Sequence, residues 1–345
     1  MLFLFLATTV LVLPAGAKRK DDVIVFKNGD RLTGEIKRLE RGQLYFKNSS
    51  MFESVQLDWA AIDQIISKDI YIVELTTGER MEGLIRKTEG TTQEAGKLVI
   101  NTPRGEMAVN KDDVVLVRPE EDSFWRQLTG SVDLGYSYAQ GNGQSTLNFS
   151  ASAKYLRPAY SVQVGATTNF SQQTGGTRTD RREAYINFEK YITRHKKWLL
   201  ASYGDVLSSE EQSLQLRTTL GGALGYRPKV TNRTLWTVFG GTVLNREKFD
   251  LAASTNSVRD EVEGMIGTDF SSFQFTRSEL NTKFRVYPSY TTPGRVRMDF
   301  RSDYRIEIVN NWNWKITFFE TYDSQPPTTA KKNDLGITFS ISWTF

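Results

Sequence analysis

The sequence predicts an all-β protein, in which an antiparallel transmembrane β-barrel of about 12 strands follows two small SH3-like or Sm-like β units. Three observations predict this class. Apolar and polar residues alternate in long runs over residues 124–345, and an aromatic residue, Phe345, ends the last run. Mean hydropathy is only −0.42, and nothing after the N-terminus approaches the ~20 apolar residues that a membrane-spanning helix needs. A barrel fits such values because only every second strand residue faces lipid.

The domain organisation begins with a predicted targeting segment. Residues 2–13 are almost wholly apolar, and Ala15-Gly16-Ala17 forms a small-x-small cleavage pattern just before the first charged residue, Lys18. Residues 1–17 are therefore expected to be a signal peptide, since so short a stretch cannot span a bilayer. The rest of the chain is predicted to form a first periplasmic β repeat over 18–70, a second over 71–120 and the barrel over 124–345.

The two N-terminal units are predicted to be copies of one another. Both contain a Gly-x-Arg-x-x-Gly pattern, at residues 29–34 and 78–83, and each pattern opens on a dipeptide typical of hairpin turns. Short alternating strands follow in both. The segment around Trp59 has two interpretations: it is a turn that leads into the last strand of the unit, which we favour, or Arg31, Arg80 and Trp59 form the edge of a ligand site.

Twelve barrel strands are predicted from the alternation. The clearest case is Arg295–Glu307, in which apolar residues interleave with charged ones. Such long runs suit a tilted membrane crossing better than a strand of a soluble protein. The fifth and seventh strands alternate poorly. The predicted strands lie near 128–139, 144–157, 159–171, 182–193, 198–207, 212–227, 234–248, 258–271, 273–287, 295–309, 313–322 and 334–345.

Loop lengths and tryptophan positions predict an orientation. If both termini lie in the periplasm, the turns after even-numbered strands should be short, and they are shorter than most of the others. Amphipathic indole rings prefer the membrane–water interface. Six of the 7 Trp residues fall at the predicted periplasmic strand ends, where they are expected to form an interfacial girdle: Trp125, Trp198, Trp236, Trp312, Trp314 and Trp343.

The C-terminal strand has apolar residues at every odd position from Leu335 to Phe345. It resembles the recognition strand of outer-membrane proteins that the bacterial assembly machinery inserts. This resemblance implies that Phe345 is an assembly signal and that the assembly machinery is a partner, with outer-membrane lipid as the surroundings of the barrel.

A family resemblance covers residues 124–345. Phe124-Trp125-Arg126, the segment Gly130–Tyr136, Gly141-Asn142-Gly143 and Arg181-Arg182 resemble the opening of an uncharacterised barrel family, commonly labelled salt-induced outer-membrane proteins. The resemblance implies the barrel fold and an outer-membrane location. It implies no activity and no catalytic residue, and the duplicated N-terminal module is an addition to the family pattern.

The inward-facing charges determine what the barrel lumen can do. Alternation places basic and acidic residues there in equal numbers, and opposite charges on the eighth and ninth strands can pair across the ladder. The lumen is then either a salt-bridged filling or a narrow aqueous pore with a weak preference for anions. The expected pore-lining residues are Arg277, Lys283, Arg285, Arg295, Arg297, Asp299, Arg301, Asp303, Arg305 and Glu307.

Composition excludes much other chemistry. The chain has no Cys and a single His, His195, which lies in a predicted turn among cations and is expected to be an ordinary surface residue. No catalytic residue, metal site or cofactor is therefore expected, and an outer-membrane enzyme is the weakest hypothesis. The formal net charge of +4 gives no basis for nucleic-acid binding.

Two functional hypotheses remain. The first, slightly ahead, is a narrow channel for ions or small solutes in the outer membrane. The second is a non-conducting anchor, whose periplasmic module at residues 18–120 binds peptidoglycan or an envelope protein. The module favours the second hypothesis, because a simple diffusion pore does not need it.

Overall fold

The computed structural model describes residues 22–86, 96–120, 124–139, 144–173, 176, 178–192, 197–210, 212–249, 258–275, 277–309, 311–326 and 331–345. The predicted signal peptide at 1–17 and the turn with His195 lie outside these residues. Ten strands form an N-terminal β module between residues 22 and 119, and a further twelve form a closed barrel. Among the described residues, no helix is long and apolar enough to cross a membrane.

The module contains two sets of five strands with the same pairing. β1 pairs with β2 and β5, and β6 pairs with β7 and β10, while the next strands of each set extend the sheet in order. One pair, Val117 opposite Leu39, joins β10 to β2 and so connects the two sets. The strands are β1 (Asp22–Phe26), β2 (Arg31–Glu40), β3 (Gln43–Lys47), β4 (Val55–Asp58), β5 (Ile62–Ile66), β6 (Ile70–Leu75), β7 (Arg80–Arg86), β8 (Lys97–Thr102), β9 (Gly105–Asn110) and β10 (Val114–Pro119).

A single apolar core runs through both halves of the module, because each small sheet buries its apolar face against the other. Ile24, Ile36 and Phe46 of the first half are fully buried in the same cluster as Ile85 and Ile100 of the second. Neither half alone could bury so much apolar surface. The module is therefore one folding unit with two similar halves.

Two short 3-10 turns, Trp59–Ala61 and Lys111–Asp113, meet in the middle of this core. The Trp59 indole nitrogen donates to the Lys111 carbonyl at 3.1 Å. The Lys111 ammonium donates to the carbonyls of Trp59 at 2.9 Å and Ile62 at 2.6 Å. Both side chains are buried, so these bonds satisfy groups that water cannot reach.

The barrel is a closed ring of neighbouring antiparallel strands, in which β22 returns to pair with β11. This confirms the predicted fold class and strand number. A short helix, Phe124–Gln127, leads into it. The strands are β11 (Leu128–Ala139), β12 (Gln144–Leu156), β13 (Tyr160–Gln173), β14 (Arg178–Tyr191), β15 (Trp198–Ser209), β16 (Leu214–Val230), β17 (Thr234–Phe249), β18 (Val258–Phe275), β19 (Ser278–Pro288), β20 (Val296–Val309), β21 (Trp312–Asp323) and β22 (Asn333–Thr344).

The outer face of the barrel is apolar. Leu134, Ile186, Leu220, Ile266 and Ile337, from five different strands, all expose more than half of their side chains. A soluble protein would bury such residues, whereas a transmembrane barrel presents them to lipid. The fold therefore favours the outer membrane, where barrels of this kind reside.

One turn differs from the prediction. Alternation predicts a turn at Ser272 and a ninth strand that places Arg277 on the lumen face. In the structure β18 continues to Phe275, and Arg277 lies exposed in the turn before β19. Phe273 is apolar and continues the alternation of β18 only weakly. The end of β18 is set instead by its pairing with β17 and β19.

We expect Lys111→Met to destabilise the module, because two buried carbonyls would lose their donor at a cost of ~1–3 kcal/mol. Hydrogen exchange of the full chain in detergent should show faster exchange at residues 59–66, with the barrel strands unchanged. Arg104→Ala, at an exposed turn, is the matched control. Equal exchange in Lys111→Met and the control would contradict a structural role for these bonds.

Candidate functional site

The lumen of the barrel contains a buried charge cluster at the end farther from the module. Arg295 lies 2.8 Å from Glu247, 3.1 Å from Glu261 and 2.6 Å from Asp323, and its side chain is 0% exposed. A single guanidinium thus contacts carboxylates from three strands. We call this group, together with Arg217, Glu263 and Arg297, the distal cluster.

The other members of the distal cluster are paired in the same way. Arg297 lies 2.5 Å from Glu263, and Arg217 lies 2.8 Å from Glu247. All four side chains are nearly or fully buried. Removing one partner from such a pair costs ~3–5 kcal/mol, because the other charge stays buried without compensation. The cluster therefore stabilises the barrel wall, and its side chains also occupy the lumen.

Farther along the lumen the charges are paired, and Arg301 and Asp303 are partly accessible to water, whereas Lys315 and Asp133 are buried. Lys315 lies 2.7 Å from Asp133 and 3.9 Å from Asp303, and Asp303 also contacts Arg301 at 3.2 Å. Lys315, Asp133 and Arg301 line a pocket of about 20 Å³, which is room for about one water molecule.

An apolar cluster fills the opposite side of the lumen. Leu199, Phe239, Val243, Met265 and Tyr287 are all buried and in mutual contact. The first three come from β15 and β17, the two strands that alternate poorly in the sequence. Apolar residues on their inner as well as their outer faces explain that irregularity. The weak alternation was therefore the sequence feature that could have revealed this cluster.

The end of the lumen nearer the module is closed by contacts between module and barrel. Glu74 of β6 accepts from Arg227 of β16 at 2.5 Å and from Arg80 of β7 at 2.7 Å. Both guanidinium groups also lie over the ring of Tyr191, at 4.9 Å and 3.7 Å from its centroid. These four residues, which we call the rim cluster, are buried or half-buried.

Further polar contacts continue around the same rim. They come from β4, from β10 and its end, and from the turn after β2, and they reach the turns and strand ends of β11, β12, β16, β19 and β20. The contacts are Arg118 to Thr129 at 3.2 Å, Arg157 with Glu120, Asn232 to the Val114 carbonyl at 3.0 Å, Arg41 with Glu279 at 2.7 Å and Gln56 to Glu307 at 3.1 Å. The module thus lies across the opening of the barrel.

The charge on Glu74 is stabilised by its two partners. Burial alone would raise the pKa of Glu74, but the guanidinium groups of Arg80 and Arg227 outweigh this effect and lower it below the ordinary value. The rim cluster is consequently an ion pair at neutral pH, and it survives moderate acidification.

The pore-lining residues proposed from the sequence occupy four different places. Arg295 and Arg297 belong to the distal cluster, and Arg305 and Glu307 lie near the module, where Arg305 is 3.8 Å from Glu279. Half-buried positions between these ends are held by Lys283, Arg285, Asp299, Arg301 and Asp303, and Arg285 is 2.7 Å from Asp269. Arg277 lies in its exposed turn.

The proposed ligand edge of the module is not assembled. Trp59 is in the core, Arg80 belongs to the rim cluster and Arg31 is exposed. Five of the expected girdle residues, Trp198, Trp236, Trp312, Trp314 and Trp343, are exposed on the outer wall near the module, and the side chain of Trp125 lies outside the described residues. Phe345 exchanges backbone bonds with Gly130 at the seam of the barrel. No group of metal-ligating side chains occurs in the described part of the chain.

We expect Arg227→Gln to loosen the contact between module and barrel, because Glu74 would lose a buried partner. Hydrogen exchange at residues 70–80 of the full chain should become faster, while the core around Ile24 stays protected. Glu106→Gln on exposed β9 serves as the control. Unchanged exchange at residues 70–80 would mean that the rim cluster does not hold the module.

The rim cluster should tolerate acid. The folded pKa of Glu74 lies below its value in the released state, so its contribution is present above pH ~4.5 and disappears only as the pH falls through the lower, folded value. Exchange at residues 70–80 should therefore be the same at pH 7 and pH 5. Release of the module between those values would refute this assignment.

Comparison with known proteins finds solved structures with a distant likeness to this chain. The translocator domain of autotransporter NalP from Neisseria meningitidis is 12% identical, with 63% of this chain and 86% of that chain covered and a TM-score of 0.36. The NanC porin is 8% identical, with 63% and 98% covered and a TM-score of 0.41. A likeness of this extent does not extend to function. No curated protein matches the chain. The family model described as "Protein of unknown function, DUF481" matches residues 132–345, and the chain therefore belongs to that family.

Proposed function

We propose that this protein is an outer-membrane anchor, a barrel that is closed to solutes in its resting state and holds its β module on the periplasmic side. The observation that carries the proposal is the buried distal cluster, in which Arg295 contacts Glu247, Glu261 and Asp323 from three different strands inside the lumen. An open pore would leave such charges hydrated. Here they are removed from water, so the space between them is filled by the side chains themselves.

Closure at the other end supports the same proposal. The module lies across the opening and contacts it through several ion pairs, of which Glu74 with Arg227 is buried. Contacts spread around the rim fix the orientation of the module as well as its position. A fixed module on a membrane barrel is what an envelope anchor requires, and its partner would be peptidoglycan or another envelope protein.

The periplasmic placement of the module rests on the barrel ends. The five described girdle tryptophans lie on the outer wall near the module, at the end where the connections between strands are short. In bacterial barrels, short turns face the periplasm and the longer loops face outward. We therefore place the module in the periplasm and the distal cluster toward the outside.

A narrow channel is the second candidate, and one observation favours it. The charges between the two closed ends, such as Lys283, Arg285 and Arg301, are half-buried rather than fully buried. Water can reach this part of the lumen. A rearrangement of both the distal cluster and the module would then be needed to connect it to the two sides of the membrane.

Planar-bilayer recording separates the two candidates. The purified full chain should show no steady ion conductance at neutral pH, because charged side chains occupy the lumen. Arg295→Ala removes the central cation of the distal cluster and should introduce conductance in a chain that also lacks residues 18–120. The matched control is Arg246→Ala, which removes one member of an exposed ion pair outside the lumen. This variant should show no conductance.

Steady conductance of the unmodified protein would overturn the anchor proposal in favour of the channel. The anchor proposal gains support if a defined partner in the isolated envelope fraction binds the module. Arg227→Gln should then weaken this binding more than Glu106→Gln does.

A further inference from the structure

The seam, where β11 meets β22, is the least bonded part of the barrel wall. The two strands pair only over Ser131–Leu134, opposite Ile341–Thr344, with two more backbone bonds between Gly130 and Phe345. By contrast, β11 pairs with β12 over its whole length, Leu128–Ala139. In the described chain, the ladder across the seam therefore ends near the middle of the barrel.

The unbonded half of the seam lies away from the module and within the apolar band. It consists of the segments 135–139 of β11 and 333–340 of β22. On the outer face beside it, Tyr136, Leu335, Ile337 and Phe339 are exposed. Backbone groups without partners are costly in lipid, and wall segments without ladder bonds are therefore easier to separate than bonded ones.

The two strands nevertheless remain in contact at Gly135. A Cβ atom at this position would overlap the Phe339 carbonyl oxygen and lie 3.1 Å from the Cβ of Ser340, so the missing side chain permits the close approach of the two strands. The seam in this state is closed by packing but not by a continuous ladder. Such a contact can open without breaking backbone hydrogen bonds.

A polar pocket lies directly inside the same half of the seam. Its lining comes from both seam strands, with Asp133 on β11 and Thr338 and Ser340 on β22, and it includes the cations Arg301 and Lys315. Lys315 is held by Asp133 at 2.7 Å and Arg301 by Asp303 at 3.2 Å. In this state the pocket has room for about one water molecule, so an anionic group that entered would displace Asp133 and Asp303 from the two cations.

We propose that the seam is a lateral passage for an amphiphile with an anionic head group and an acyl chain. The head would bind Lys315 and Arg301 in the polar pocket, and the chain would extend between β11 and β22 into the bilayer leaflet distant from the module. This function needs no open path along the barrel axis, so it is compatible with a lumen that is closed to ions.

The test uses the full chain in liposomes with a lysophosphatidic acid that carries a photoactivatable diazirine beside its phosphate. After illumination, labelled residues are identified by mass spectrometry. Lumen-facing Thr317 and Thr338 should be labelled together with outward-facing Ile337. Because the protein has no cysteine, a disulfide can be placed at will. The variant Tyr136→Cys/Phe339→Cys closes the seam from the outer face, and its oxidation should abolish labelling of Thr317 and Thr338, with recovery after reduction.

The control is Ala166→Cys/Ala184→Cys, which joins residues already opposite each other on β13 and β14, outside the polar pocket. Oxidation of this variant should leave lumen labelling unchanged. If oxidation does not join the two cysteines of Tyr136→Cys/Phe339→Cys, a bifunctional maleimide joins them instead.

Lumen labelling that persists in the oxidised seam variant would overturn the lateral passage, as would labelling confined to Ile337 in the unmodified protein. In the unmodified protein and in every variant, labelling of Ile337 shows that the protein has inserted into the bilayer. Failure of the passage is thereby distinguished from failure of the membrane assignment, and conductance tests the anchor separately.

Discussion

Each charged side chain inside the barrel must find its counter-charge within the wall, and much of the structure follows from this constraint. An ion taken from water without a partner costs several kcal/mol. Arg295 meets the constraint by contacting three carboxylates, and Arg297 and Arg217 meet it with Glu263 and Glu247. These partners belong to β16, β17, β18, β20 and β21, so pairing also ties distant strands of the wall together.

The same constraint attaches the module to the barrel. Glu74 is shared between Arg80 of the module and Arg227 of the barrel, and neither guanidinium could be withdrawn without leaving a buried charge. The aromatic ring of Tyr191 packs against both cations. A rim built from such shared charges allows few orientations of the module, which is the property that the anchor proposal uses.

The wall is uneven around the barrel. Leu199, Phe239 and Met265 pack one side of the lumen with apolar contacts, whereas the side near the seam contains small polar residues and paired charges. The apolar packing stabilises the first side of the wall against opening. The second side combines water access with a short ladder, so motion of the wall should concentrate there.

The sequence by itself determined the barrel. Alternation has a period of two and is local, so each strand reveals its own inner and outer face, and the lipid-facing residues and tryptophan girdle follow from it. The paired charges were also foreseeable as a set. The partner of each charge was not foreseeable. Arg295 pairs with Glu247, which is distant in sequence, and no local pattern encodes such a contact. Strand β18 ended later than its pattern indicated, which moved Arg277 from the lumen to a turn.

Only the tertiary structure decided how the two ends of the lumen are closed and where the wall is weak. The module docks through residues that look like ordinary surface charges in the sequence, although Glu74 and Arg227 are buried where the two parts meet. The length of the ladder between β11 and β22 likewise depends on how the ring closes. Both features are set by the meeting of distant segments, whereas the period of each strand is set by the chain alone.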